Sequence, residues 1–359
     1  MFKVADYLIQ SQAPDHRGSA QLRPLDTRGG GSAITSSLIL ATAVLRIIFG
    51  RLGGRLAGVH VNMAERLSLF RKAVVIAACR GLGVPVVLHL HAAQFPAFFR
   101  TLPLPLRAMT RWIFSLPACV IVLGETARSF VKDELNVAHE KIEVIINGVP
   151  EPELQSDSVR ELGLQHLLFL GNLMERKGVS DLLEALARPG FDRSRLQVTF
   201  AGGGDVRGYQ AKANQLGIGS FVEFIGWAEQ AQVQRLLART SVLVLPSYDE
   251  GLPLVILEAL ASGVAVVCSP VGEIPSVLHN ELDVCFTPAG DVAGLASTLQ
   301  RVLYEPGLMD RLASNGRSLY EHQFSMNRFF CNIALLHKRH FGVAAAVPAG
   351  CTPVEQGFA

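Results

Sequence analysis

At 359 residues the chain is too long for one ordinary domain and suits two of roughly 150 to 180 residues each. Apolar residues make up 49% and charged residues 18%, which excludes disorder for most of the chain and fits two extensively buried cores. The net charge of +2 conceals an asymmetry: residues 1–150 carry 17 Lys+Arg against 9 Asp+Glu, and the remainder 16 against 22. Nucleic acid is excluded as a partner of the basic half, because its cations lack interleaved aromatics and are spread among apolar helices.

Six widely spaced cysteines without a C-x-x-C pair predict buried free thiols rather than a metal site. The N-terminus lacks a basic region followed by an apolar core, and the longest apolar stretch, SSLILATAVLRIIFG, is interrupted by Arg46. Neither a signal peptide nor a spanning helix is expected, so the predicted location is cytoplasmic, peripheral at most to the inner membrane face.

In chain order, VADYLIQSQ reads as the end of a helix, which places the first strand of the fold upstream of Met1. Apolar strand runs follow: LAGVHVNM, VPVVLHLHA, ACVIVLG and KIEVIING, then HLLFLGN, LQVTFAGGG, FVEFIG, TSVLVLPS and VAVVCSP. Runs apolar on both faces, alternating with helix-like segments, predict parallel sheets buried between helical layers. Pro, Glu and Ser accumulate over residues 147–163, so the domains are set at 1–150 and 151–341, the last helix returning to the first domain, with a loose tail at 342–359.

Ligands of such sheets bind at the carboxyl ends of strands. After HLLFLGN, Arg176 and Lys177 stand on a short turn before a new helix, which suits either a phosphate site or a solvated basic turn. After TSVLVLPS, Gly251 permits close backbone approach and Pro253 suits a first helical turn. Glu258 lies about two turns beyond Glu250 within the apolar LVILEALA, so it binds either a ligand's hydroxyls or an arginine across the core. The Gly202–Gly204 triplet lacks the G-x-G-x-x-G spacing of a dinucleotide site, which removes the fingerprint of a nicotinamide-dependent oxidoreductase.

Residues 165–290 resemble the donor half of the retaining glycosyltransferase family 4. Its strand–G-R-L-x-x-x-K-G turn is matched by G-N-L-M-E-R-K-G at 171–178, and its Glu-x7-Glu motif by Glu250 and Glu258 in PSYDEGLPLVILEALASGVAVV. The implied fold is GT-B: two Rossmann-like, doubly wound α/β domains facing a cleft, the first lacking its first strand here. The resemblance implies donor-binding roles for Gly171, Asn172, Arg176, Lys177, Gly203, Gly226, Glu250, Gly251, Leu252, Pro253, Leu254, Val255 and Glu258. Glu258 would take the ribose, Glu250 would sit by the sugar, and the 251–255 amides would face the diphosphate. The family's basic pair falls on Asn172 and Lys177, a departure that leaves Arg176 as a substitute cation. VVLHLHA resembles the strand ending in the family's catalytic-site His, here His91, whose other reading is a hydrogen-bonded core histidine. KIEVIINGV resembles the N-G-V-D hinge with Pro150 in place of Asp. LDTRGGGSA looks like the acceptor-side glycine loop of polysaccharide-assembling members, with Arg28, Gly29, Gly30 and Gly31.

The expectation is a retaining, metal-independent glycosyltransferase with catalytic His91, Lys177 and Glu250. It would move sugar from a nucleotide-diphosphate sugar to a glycan or lipid-linked acceptor in cell-surface polysaccharide synthesis, with no cofactor. The alternative is an inactive nucleotide-sugar-binding or membrane-associated pseudoenzyme. Two segments, LRIIFGRLGGRLAG at 45–58 and RTLPLPLRAMTRWIFSLP at 100–117, are expected either to meet an anionic membrane through their arginines, Arg107 and Arg111 included, or simply to cover the sheet.

Overall fold

The computed structural model describes residues 2–10, 20–30, 32–91, 93–153 and 163–344. The chain divides into two units: residues 1–148 with 326–359, and residues 149–325. The second crossing of the chain falls before helix Met326–Phe341, which therefore belongs with unit 1. The compositional boundary expected at 147–163 begins where the first crossing lies, and the tail beyond 344 lies outside the described residues.

Unit 1 holds four parallel strands, β1 Val59–Met63, β2 Val86–Leu90, β3 Cys119–Val122 and β4 Ile142–Val144, in the spatial order β1-β2-β3-β4. The order follows the chain, so the described strands wind in one direction. The residues of β2 and β3 are all buried, which is why those runs are apolar on both faces. Phe95, Phe114, Ile76 and Leu69 from the flanking helices close over them.

Helix Met326–Phe341 buries Phe329, Phe330, Ile333 and His337 in this unit and pairs Arg339 with Glu143 on β4. Its His337 Nε2 lies 2.8 Å from His60 Nδ1, and His60 Nε2 lies 3.4 Å from His89 Nδ1. Burial holds the imidazoles of His60 and His89 well below the ordinary range and pulls His337 down to about 4. A polar thread thus runs through an apolar sheet. It stays uncharged at neutral pH.

One expectation for unit 1 is corrected. The stretch around Arg46 is one continuous helix, Ala33–Leu52, whose 18-residue window has a mean hydropathy of 1.5, long and apolar enough to cross a membrane by composition alone. A single arginine near a helix end does not interrupt a helix, because its aliphatic stem can lie along apolar surface. In the 100–117 segment the half-buried Arg107 and Arg111 bond to the protein's own backbone. Arg107 donates to the carbonyls of Leu102 and Arg100, Arg111 Nε donates to the carbonyl of Glu134 at 2.8 Å, and Arg100 pairs with the Glu134 carboxylate. Both Arg107 and Arg111 also stack over Phe99. These contacts tie neighbouring segments of unit 1 together. Four cysteines, Cys79, Cys119, Cys268 and Cys285, are buried free thiols as their apolar surroundings predict.

Unit 2 holds six parallel strands, β5 Gln165–Leu170, β6 Leu196–Ala201, β7 Val222–Gly226, β8 Val242–Leu245, β9 Ala265–Cys268 and β10 Cys285–Phe286. Their spatial order is β10-β9-β8-β5-β6-β7. The chain runs outward from β5 to β7, then returns to β8 on the other side of β5 and runs outward again. That reversal makes β5 and β8 the switch point of a doubly wound sheet, the place where the loops leaving neighbouring strands diverge and leave a crevice.

Candidate active site

At the switch point the β5 strand leads into Gly171, Asn172 and Leu173, then a tight turn at Glu175–Lys177, then helix Val179–Ala187. Gly178 joins turn to helix with φ +69°, and a Cβ there would overlap the carbonyl of Pro246 at the end of β8. Only glycine lets the two loops approach this closely. The backbone bond from Tyr248 N–H to the Arg176 carbonyl, 2.9 Å, fastens them.

The charged residues are arranged across this seam. Lys177 Nζ forms an ion pair with Glu250, and Ser247 Oγ donates to the same carboxylate oxygen at 2.8 Å. Arg176 donates to the Asp249 carbonyl at 2.6 Å and lies 3.7 Å from its carboxylate. The expected donor-side Lys177 is thus paired with the expected donor-side Glu250. Arg176, the expected substitute cation, spends its guanidinium joining the loops. The reason is distance: the β8 loop carries two carboxylates to the very turn that carries the two cations. A mostly buried pair of this kind is held in place by the cost of leaving either charge alone.

Beyond Glu250 the chain passes Gly251, the buried Leu252, and Pro253, which caps helix Leu254–Ala261 from outside and so sits one place before the first helical turn it was expected to occupy. The first-turn N–H groups of Leu254 and Val255 have no carbonyl within the helix to bond, which leaves a positive end at the crevice. Glu258 lies on this helix at 6% exposure, and Glu250 at 8%, so both carboxylates are taken largely out of water.

A third carboxylate escaped sequence reasoning. Glu273, in the loop after β9, is buried, its N–H donates to the Gly251 carbonyl at 3.0 Å, and Ser276 Oγ donates to its side chain. Its position after an apolar strand, followed by Ile274-Pro275, was the available signal.

On the other side of β5, Gly202 N–H donates to the Gly226 carbonyl at 2.7 Å, and Leu173 N–H to the Gly203 carbonyl at 2.6 Å. A Cβ at Gly202 would overlap the carbonyl of Gly171. The triplet's first duty is therefore packing of the β6 loop on the β5 loop, which brings Gly171, Asn172, Gly203 and Gly226 to one rim.

The remaining candidates lie in unit 1. His91 follows β2, its N–H donates to the Met63 carbonyl, its Nε2 lies 2.8 Å from Asn62 Oδ1, and its ring lies tilted against His89 at 3.8 Å between centroids. Burial pulls it down to about 3, so it is neutral at physiological pH. Asn62 Oδ1 can only accept, which assigns the His91 proton to Nε2 and leaves Nδ1 as an acceptor. Arg28 and Gly29 are held by Asp26, whose carboxylate accepts from their N–H groups at 2.7 and 2.9 Å and is thereby kept below the ordinary range. Gly30 has open space beside it, and Gly31 lies outside the described residues. Among the described residues no group of three or more His, Cys, Asp or Glu is arranged to hold a metal ion.

Two parallel α/β units, one with its switch point lined by cations, buried carboxylates and a helix start, define the GT-B class of glycosyltransferase fold. The structure of sucrose-phosphate synthase from Thermosynechococcus elongatus superposes with a TM-score of 0.75 at 17% identity, covering 95% of this chain and 92% of that one. Anabaena HepE in complex with UDP-glucose gives 0.65 at 17%, covering 84% and 82%. In sequence, residues 151–319 match the family of glycosyl transferases group 1, and residues 48–151 match glycosyltransferase family 4. A glycogen synthase of Mycobacterium tuberculosis is 28% identical over 251 residues, 67% of this chain and 60% of the relative. The chain spans between about half and three fifths of the length of the curated relatives it matches first.

Proposed function

We propose that this protein is a retaining glycosyltransferase that takes a sugar from a nucleotide-diphosphate sugar to a glycan or lipid-linked acceptor in polysaccharide assembly, without a metal ion. The observation that carries the reading is the seam between β5 and β8. There Lys177, Glu250 and the start of helix Leu254–Ala261 converge on one crevice, with the buried Glu258 on the same helix. Cations and open N–H groups suit a diphosphate, and a buried carboxylate suits the paired hydroxyls of a ribose. The presence of UDP-glucose in HepE puts uridine nucleotides first among the donors to try.

In the proposed reaction the bond between the anomeric carbon and the diphosphate oxygen breaks, and the acceptor oxygen bonds to that carbon on the same face. The departing phosphate oxygen takes the acceptor's proton, so no carboxylate nucleophile is needed. Lys177 leaves Glu250 for the leaving phosphate as charge develops there, and the helix start supplies N–H donors. Glu250, released, accepts from hydroxyls of the sugar. His91, neutral at physiological pH, offers an accepting Nδ1 and is not an acid.

Calorimetric titration with a panel of nucleotide sugars tests the proposal. One donor should bind, and Glu258→Gln should weaken it roughly tenfold or more, because a charge-assisted bond to hydroxyls contributes about 1.5 to 3 kcal/mol. Equal affinity in variant and parent would remove the ribose assignment. Donor binding with no transfer to any glycan or lipid-linked acceptor would favour the pseudoenzyme instead.

A further inference from the structure

Helix Ala33–Leu52 is apolar on the side where a soluble protein is polar. Ala43 and Ile47 are buried, and the helix packs on its neighbour, Leu67–Gly81. On the other side Ile34, Leu38, Ala41, Leu45, Phe49 and Leu52 recur every three or four residues, all of them exposed. The exposure is large: 76% for Ile34, 62% for Leu38, 63% for Phe49 and 75% for Leu52. That spacing places them in one stripe along the helix. The neighbouring helix adds exposed Leu67, Phe70 and Val74, again three and four residues apart. Single exposed leucines are ordinary, whereas a continuous stripe marks a surface with a partner.

Charge selects the partner. Residues 27–124 contain eleven Lys+Arg and one acid, Glu65. Arg46, Arg51, Arg55 and Arg66, on or beside the stripe, are exposed. Two copies of the chain meeting through this face would set cation against cation. An anionic lipid surface answers both features at once, taking the apolar side chains into the acyl boundary and the arginines at the head groups. The helix is long enough to span but is bound into the fold: Ser36 Oγ donates to the Arg28 carbonyl at 2.6 Å, and Arg51 Nε to the Leu82 carbonyl at 3.2 Å. It can therefore lie in the interfacial plane with its buried face still on the protein.

We propose that the face formed by helix Ala33–Leu52, with Leu67, Phe70 and Val74 beside it, docks on an anionic membrane. The proposal rests on unit 1 alone and stands apart from the donor reading.

The test uses the full chain, vesicles of phosphatidylcholine with and without phosphatidylglycerol, and Phe49→Trp as a depth probe. With anionic vesicles the protein should sediment, the added tryptophan's emission should shift to the blue, and brominated acyl chains should quench it. Raised salt should weaken binding. The triple variant Leu38→Gln, Leu45→Gln, Phe49→Gln should lose on the order of 100-fold in partitioning, with nucleotide-sugar affinity unchanged as proof that the protein is folded. Should that variant not fold, Phe49→Trp, a conservative change on an exposed site, carries the decision. An unquenched tryptophan, binding indifferent to phosphatidylglycerol, or a vesicle-free dimer in sedimentation equilibrium would each overturn the proposal. A parent chain that docks but binds no nucleotide sugar would overturn the donor reading and leave this one intact.

Discussion

The two units handle charge in opposite ways. In unit 2 the cations of the β5 loop are matched to the carboxylates of the β8 loop, and charge is gathered where two loops meet. In unit 1 the polar groups at the heart of the sheet are four histidines, His60, His89, His91 and His337, which burial keeps neutral, while arginines are turned outward along helix Ala33–Leu52 or folded onto backbone carbonyls. The difference teaches that one architecture supports two kinds of polar interior. A charge pair at a crevice can be exchanged for a charged ligand. A neutral imidazole thread inside a sheet can only hydrogen-bond or come apart.

Acid should separate the two units most. A histidine whose folded pKa lies below its unfolded value of 6.5 contributes stability that is complete above about pH 6.5 and is lost as the pH falls toward the folded pKa, because the unfolded chain binds the proton first. His91, at about 3, and His337, at about 4, with His60 and His89 also depressed, concentrate this effect in unit 1. Unit 2 has His166, at about 4, held by Thr199 and Thr240. Each such histidine changes stability by up to about 1.4 kcal/mol per pH unit within its window, so unit 1 should lose several kcal/mol between pH 6.5 and 4.5. Hydrogen exchange read segment by segment over that range should show β1–β3 opening before β5–β8. Simultaneous opening would erase the contrast.

Lys177→Ala comes next. It removes the charge proposed for the leaving phosphate, so turnover should fall by about 10² or more. It also leaves Glu250 with Ser247 as its remaining described partner, so unfolding in urea should show a loss of about 1 to 3 kcal/mol. The double variant Lys177→Met, Glu250→Leu should recover much of that stability and none of the turnover. Recovery of turnover would mean that the pair serves folding alone.

A smaller effect is expected from Gly178→Ala, which forces a side chain into the left-handed region and against the Pro246 carbonyl. About 1 to 3 kcal/mol of stability should be lost, with donor affinity falling as the β5 and β8 loops part. Wild-type affinity in a measurably destabilised variant would detach the seam from the donor site. The smallest effect expected is none at all: EDTA should leave transfer unchanged, and activity that returns only on adding magnesium would replace the metal-free mechanism.

Legibility followed the range of the interactions. Strands β2, β3 and β8 were visible as apolar runs because a strand covered on both faces has no polar side to show. The turn at 175–177 and the segment 250–258 were visible because each lies on one loop and the helix after it. The return of the last helix to the first domain was legible, but the side-chain contacts between distant residues escaped. No spacing links His60 to His337, or shows that Glu250 neutralises Lys177, or that Arg111 serves the Glu134 carbonyl. Helix Ala33–Leu52 left its alternatives open for another reason, since an apolar segment reads the same whether or not anything covers it. Composition reports what a side chain prefers and is silent about whether the fold grants it.

Helix Met326–Phe341 has a consequence for biosynthesis. A ribosome makes β1 through β4 first, yet the helix that supplies Phe329, His337 and Arg339 to them emerges only after all of residues 149–325. Unit 2 is contiguous and can close once its last helices, Val292–Tyr304 and Leu308–Leu319, leave the exit tunnel. Unit 1 must wait with one side of its sheet uncovered, although it is the earlier half of the message. The order of synthesis and the order of completion are therefore reversed, and the interval between them is when this chain most needs a chaperone.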